Sequence, residues 1–362
     1  MRIGIMGYYG MGNIGDEAIL SVMIHRLRSE NPNVKIIVFS ADPISTKNLH
    51  SVEAQNSPSL TKPSTVIKFV FSLLKIEKLI IGGGGFLCGE SFGRTLTWVL
   101  LAKWMKRKVE FYAVGIQPKL QSQVLGLNLK LSAPVGLRSR LLAPLVLNHI
   151  DAISVRDEFS KECIRKAGFK KDIEVIEDPA IYLEPVEPEV ARKYLEERGI
   201  KRDNYLIGLS LRYIPDREIC YRIKEVISKI VDWLAEVYGA KIIFIPFCRS
   251  KILNFDDDYK FAMELKKEVA NKENFIILDL LKPRETKGVI GQLDFLIGMR
   301  LHSLIFASSF GIPLIGLIYA PKVKSFLEKI GQPGIPIDKL NFDILKQLIE
   351  ERITLKKRAG QG

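Results

Sequence analysis

A short apolar run, Arg2 to Met6, passes directly into Gly7-Tyr8-Tyr9-Gly10-Met11-Gly12-Asn13-Ile14-Gly15-Asp16-Glu17-Ala18-Ile19-Leu20. A strand that turns through glycines into a helix opens a βαβ unit, so the first part of the chain should build a parallel sheet with crossover helices. Gly10, Gly12 and Gly15 satisfy the spacing G-x-G-x-x-G, and Asp42 ends the next strand, Val34 to Ser40. As a dinucleotide fingerprint the passage departs from the usual form, because the loop is longer than a tight turn and the acid lies beyond the customary distance of about 20 residues. The broader expectation is a close backbone approach to a ligand at Gly10, a turn stabilised by Asn13 and a helix cap from Asp16.

The alternation continues. The segment Asp42 to Ser64, with Pro43, Pro58 and Pro63, reads as loop. Helix Thr65 to Leu74 and strand Lys78 to Ile81 then lead to four glycines, where Gly83 and Gly84 leave room for a ligand or a neighbouring backbone. Thr95 to Met105, which carries Trp98 and Trp104 and is followed by Lys106-Arg107-Lys108, has two readings: a buried crossover helix or a helix lying on a membrane surface. After strand Val109 to Gly115, the Leu-rich segment Gln117 to Asn148, with Lys119, Lys130, Arg138 and Arg140, has no clear division into elements. Strand Ala152 to Val155 enters a helix with Arg156 at the junction, and Asp157 either caps that helix or holds Arg156. Pro185 and Pro188 among acidic residues mark 183–189 as a linker.

A second series begins with strand Tyr205 to Leu211 and its terminal Arg212, and reaches the run Leu293 to Ile297 before Gly298-Met299-Arg300-Leu301-His302-Ser303. Arg300 and His302 fall where strand becomes helix, and Lys322 follows the strand Ile312 to Tyr319. Helix starts present outward N–H groups that favour anions, so a cation, an imidazole and a second cation at successive strand ends imply an anionic substrate and proton transfer. The expected fold class is α/β, two Rossmann-like βαβ domains facing across a cleft in the GT-B-like arrangement. The expected division is 1–182 (acceptor side), linker 183–189, 190–341 (donor side), and a final helix and tail, 342–362, packing back onto the first domain.

The net charge of +13 over 362 residues favours acidic partners. The basic residues are interleaved with acids and accompany no nucleic-acid motif, so phosphate or carboxylate ligands are expected rather than nucleic acid. The four cysteines, Cys88, Cys163, Cys220 and Cys248, lie far apart without metal-ligand spacing, and no metal or cofactor is expected. Without a signal-peptide core or a run of about 18 apolar residues, the chain reads as cytoplasmic, with contact at the inner face of the membrane as the alternative attached to the helix Thr95 to Met105.

Gly7 to Leu20 and Gly298 to Ser308 resemble the two end signatures of the polysaccharide pyruvyl transferase family. The glycine run at Gly82, Ser154-Val155-Arg156-Asp157 and Asp178-Pro179-Ala180 resemble further family elements. The resemblance implies transfer of the pyruvyl group of phosphoenolpyruvate onto two hydroxyls of a sugar, in a cell-surface polysaccharide or its lipid-linked precursor, as a cyclic ketal with release of phosphate. Phosphoenolpyruvate is then a co-substrate. Carried over by position, Arg156, His302 and Lys322 are the catalytic donor-site trio and Arg300 a fourth member, while Gly10, Asn13, Asp16, Gly83, Gly84 and Arg212 are candidate substrate-binding positions. His302 would protonate the enol methylene carbon or shuttle the acceptor proton, with Asp16 or Glu17 as an alternative base. Two departures stand out: Leu87-Cys88-Gly89-Glu90 is less polar than the family's usual sequence, and Ala320-Pro321-Lys322 replaces Asp-Pro-Lys. Competing readings are a nucleotide-sugar glycosyltransferase of the same architecture and a non-catalytic phosphoglycan-binding protein, with no need for His302. An NAD-dependent dehydrogenase rests on the glycine fingerprint alone.

Overall fold

Parallel strands covered on both faces need apolar residues at nearly every position, and the short apolar runs of this sequence meet that need. The computed structural model describes residues 1–83, 89–116, 143, 146–201, 203–249 and 257–359. The chain divides into two units, Met1–Tyr182 and Leu183–Gly362.

The first unit holds a seven-stranded sheet, β1 (Arg2–Met6), β2 (Lys35–Ser40), β3 (Glu53–Asn56), β4 (Lys78–Gly82), β5 (Lys108–Val114), β6 (Ala152–Val155) and β7 (Glu174–Val175), in the order β3-β2-β1-β4-β5-β6-β7. Alternate residues of β1, β2 and β4 feed two cores. Ile3, Ile5, Ile36, Val38 and Ile80 pack with Leu20, Met23 and Leu27 of the helix Ile14–Glu30. Met6, Ile37, Phe39, Leu79 and Ile81 pack on the other face with Phe69, Leu73, Trp98 and Val99. The helices Pro63–Lys75 and Gly89–Trp104 therefore lie together on that second face, joined by an edge-to-face contact of Phe69 with Trp98 at 5.6 Å. The crossover reading of the Trp98 helix describes this inner side.

The second unit holds six parallel strands, β8 (Leu206–Ser210), β9 (Lys241–Phe244), β10 (Phe275–Ile277), β11 (Phe295–Gly298), β12 (Leu314–Ile318) and β13 (Gly334–Pro336), in the order β10-β9-β8-β11-β12-β13. In each sheet the strand order reverses direction once, between β1 and β4 and between β8 and β11. Such switch points open crevices at the carboxyl ends of the strands, where ligands of open α/β sheets bind.

Three stretches differ from the sequence expectation. Asp42 to Ser64 is not all loop: Asp42 accepts the Ser45 N–H at 3.1 Å and caps a helix, Pro43–His50, and β3 follows. The strand Glu-Ala-Gln-Asn has no apolar alternation, because it is an edge strand held through backbone pairing to β2. The residues expected as a linker belong with the second unit, where Val186 N–H bonds to Arg284 O at 3.1 Å and the Arg284 side chain returns to the Glu184 and Pro185 carbonyls. A helix, Pro188–Glu196, starts inside that stretch. The C-terminal helix, Phe342–Ala359, packs on Arg217–Tyr238 of its own unit through buried Leu345, Ile349 and Ile353.

Candidate active site

In the first unit the glycine passage is an internally packed loop. Asn13 provides the helix cap, its Oδ1 accepting from Gly15 N at 3.0 Å and Asp16 N at 3.4 Å, while Asp16 sits buried in the first turn. Gly10 has φ +72°, and a Cβ there would lie 2.2 Å from Ser40 Oγ and 2.5 Å from Asp42 N. The glycine requirement at this position comes from packing against the end of β2 as well as from the left-handed backbone. Both oxygens of Glu17 are engaged: Oε1 accepts Gly10 N–H at 2.7 Å, and Oε2 lies 2.7 Å from His50 Nε2. Glu17 thus braces the loop against the helix Pro43–His50.

Tyr9 fills the space that the next glycines open. A Cβ at Gly7 would lie 2.6 Å from its ring, and one at Gly83, where φ is +86°, would lie 3.1 Å from it. Gly84 lies outside the described residues. Burial, with the Asp16 and Glu17 charges, pushes the Tyr9 phenol well above its ordinary value, while the Arg156 charge acts in the opposite direction.

Arg156 follows β6 at the β6-to-helix junction. Asp157 caps the helix Glu158–Lys166, accepting Ser160 N–H at 2.7 Å. Arg156 Nη1 donates to Asp178 Oδ2, and Asp178 Oδ1 accepts Ala180 N–H at 3.0 Å. Burial disfavours the guanidinium charge, but Asp178, Asp157 and Asp16 outweigh it and raise the Arg156 pKa. The Asp-Pro-Ala element is therefore the anchor of Arg156.

In the second unit the adjacent strands β8, β11 and β12 bring Arg212, Arg300, His302 and Lys322 to one edge of the sheet. His302 is the second residue of the helix Leu301–Ser309, and Lys322 is the second residue of the helix Pro321–Lys329. Each stands four positions beyond the end of its strand, so two neighbouring helix starts present an imidazole and an ammonium side by side in the topology.

Arg300 is a clamp. Its Nε donates to Asp258 Oδ2 at 3.0 Å and its Nη2 to Asp258 Oδ1 at 2.5 Å. The same Oδ2 accepts the N–H groups of Phe247 and Cys248, each at 3.0 Å. The buried, bidentate pair joins the carboxyl ends of β9 and β11, and Met299 N–H adds a bond to Ser210 O at 2.7 Å.

Tyr319, not singled out from the sequence, is buried at the centre of this charge. Arg212 Nη1 donates to its hydroxyl at 3.4 Å, with the guanidinium carbon 5.1 Å from the ring centroid. Burial works to raise the phenol, but Lys322, Arg212 and Arg300 together bring it from 10.0 down to about 8. The three cations thus favour the phenolate form of Tyr319 at this edge. A depressed value in the folded state adds stability that is fully present above the unfolded phenol's pKa and is lost as pH falls through the folded one. The stability difference between wild type and Tyr319→Phe should therefore shift in favour of wild type by on the order of 2 kcal/mol between about pH 8 and 10, read by denaturant unfolding across that range.

Tyr319 could have been noticed from its place directly before Ala320-Pro321-Lys322. Asp258 gave no signal, because it lies 42 residues from Arg300 in the chain.

Two parallel-sheet α/β units, with candidate side chains at the carboxyl edges near the switch points, define a protein of the GT-B-like class. The chain superposes on UDP-GlcNAc 2-epimerase from Methanocaldococcus jannaschii with a TM-score of 0.63 and 16% identity, covering 97% of this chain and 92% of that one. It also superposes on the ADP-heptose lps heptosyltransferase II of E. coli with a TM-score of 0.57 and 10% identity, covering 99% and 100%. These likenesses establish the fold. The chain belongs to the polysaccharide pyruvyl transferase family, whose sequence model matches residues 13–321. It is also 21% identical to the amylovoran biosynthesis protein AmsJ of Erwinia amylovora, over 93% of this chain and 88% of AmsJ. Membership places it among transferases of polysaccharide biosynthesis.

Proposed function

We propose that the protein transfers the pyruvyl group of phosphoenolpyruvate onto two hydroxyls of a sugar, in a cell-surface polysaccharide or its lipid-linked precursor. The supporting observation is the edge of the second sheet, where Lys322 and Arg212 surround Tyr319 and His302 stands at the neighbouring helix start. Phosphoenolpyruvate carries a carboxylate and a phosphate, and such a donor needs fixed cations and a proton carrier at one place.

His302 protonates the methylene carbon of the donor or carries the proton of the first acceptor hydroxyl. That hydroxyl's oxygen bonds to the former enol carbon. The second hydroxyl then attacks the same carbon, the bond to the phosphate oxygen breaks, and phosphate leaves with the remaining proton. Lys322 and Arg212 hold the anionic groups and stabilise the charge on the departing phosphate. Arg156 is a further proposed donor cation on the family resemblance of its segment. Arg300, paired to Asp258, acts by positioning the start of the His302 helix.

No metal ion is needed in this scheme, because guanidinium and ammonium groups supply the positive charge. Exhaustive chelation should leave the rate unchanged. With an intracellular donor the reaction belongs in the cytoplasm. Among the described residues no helix is long and apolar enough to cross a membrane. The test is phosphate release from phosphoenolpyruvate across a panel of simple and lipid-linked sugars. Acceptor-dependent release supports the reading; turnover of nucleotide sugars without such release replaces it with a glycosyltransferase.

A further inference from the structure

The outer sides of the helices Pro63–Lys75 and Gly89–Trp104 carry several large exposed apolar side chains. Ile67, Phe71 and Leu74 recur at helical spacing on the first, and Leu100 and Trp104 on the second, all exposed. Phe71 is 59% exposed and Trp104 80%. The two helices pack into the same core on one face of the sheet: Phe69 meets Trp98 at 5.6 Å, and just beyond the helix ends Arg107 Nη1 donates to Ile76 O at 3.1 Å. The exposed apolar residues therefore belong to one patch on one face of the first unit.

The two helix segments carry only basic charge, with exposed Glu77 just beyond the first and Asp151 beside the second. Residues 57–76 contain Lys62, Lys68 and Lys75 and no acid, and residues 91–109 contain Arg94, Lys103, Lys106, Arg107 and Lys108 and no acid. Lys68, Lys75, Arg94 and Lys106 are exposed. Lys103 is engaged by Asp151 at 2.8 Å.

We infer that this two-helix face docks the protein on an anionic lipid bilayer, with Phe71, Trp104 and their apolar neighbours entering the interface and the lysines meeting the headgroups. Amphipathic faces bind membranes by this combination of buried apolar area and basic charge, and tryptophan, apolar with one polar N–H, suits the boundary between headgroup and acyl chain. Charge complementarity selects the occupant. A second copy of the same face would set Lys68, Lys75, Arg94 and Lys106 against their equivalents. The inference stands apart from the reaction proposed above, since it uses none of the candidate site residues.

The test is flotation of the full chain with vesicles of phosphatidylglycerol and phosphatidylcholine against vesicles of phosphatidylcholine alone. Binding should be at least about tenfold tighter to the anionic vesicles and should weaken as salt is raised. Lys68→Glu with Lys75→Glu should weaken it by roughly fivefold or more per lysine, and Phe71→Ser with Trp104→Ser by at least about tenfold in all. These residues are exposed, so thermal unfolding should stay at the wild-type midpoint. Equal binding to both vesicle types, or variants that bind as wild type, would overturn the inference. So would self-association without vesicles that the same substitutions abolish, which would assign the face to a second copy.

Discussion

Asp258→Ala should lower the stability of the protein by about 3–5 kcal/mol, the loss expected when one partner of a buried ion pair is removed. The carboxylate is fully buried and accepts from two guanidinium nitrogens of Arg300 and from the N–H groups of Phe247 and Cys248. Truncation leaves the buried Arg300 charge without this carboxylate and two backbone donors without their acceptor. Total stabilities of domains are about 5–15 kcal/mol, so the variant should approach the limit of folding. Urea denaturation measures the difference. Asp258→Leu combined with Arg300→Met should recover much of the loss, because removing both charges also removes the cost of burying one alone. A double variant no more stable than Asp258→Ala would show that the pair sets the position of the strand ends and does more than neutralise charge.

His302→Ala should reduce acceptor-dependent phosphate release by about 10² to 10⁴ fold while phosphoenolpyruvate still binds, the range for loss of a positioned acid or base. His302 is half-buried at the second position of its helix, and the helix is fixed independently by the Arg300 clamp and by Ser303 Oγ bonding to Arg300 O at 2.6 Å. The substitution should therefore spare the fold. Lys322→Met should show the contrasting pattern, a raised KM for phosphoenolpyruvate, because an ammonium at a helix start serves an anion in the ground state as well as in the transition state. If the two variants lost kcat and KM in the same proportion, the separation of proton transfer from anion binding would fail.

The parallel strands were legible because burial on both faces removes the polar alternation that makes strands ambiguous, and β1, β4, β8, β11 and β12 are nearly unbroken apolar runs. β3 was not, since an edge strand of polar residues has no pattern to read. The chemistry followed the same division. Arg156, Arg212, Arg300, His302 and Lys322 stand at strand ends, where position alone makes a charged side chain conspicuous.

Their partners were hidden, because Asp178 and Asp258 reach them across 22 and 42 residues of chain and nothing local tells an acid that pairs from one that is solvated. That is why Arg300 reads as a ligand cation in the sequence and as a clamp in the fold. The glycines posed the complementary problem. Gly7, Gly10 and Gly83 are required for close approach, and the sequence cannot distinguish a ligand from Tyr9 and Ser40 as what approaches.

The most direct test of the central claim is the chemical identity of the acceptor after incubation with carbon-labelled phosphoenolpyruvate and the enzyme. The label is expected in the sugar as a carboxyethylidene group bridging two oxygens, with one phosphate released per ketal and both rates lowered by about 10² to 10⁴ fold with His302→Ala. A sugar carrying no label, or phosphate released equally without any sugar present, would contradict it.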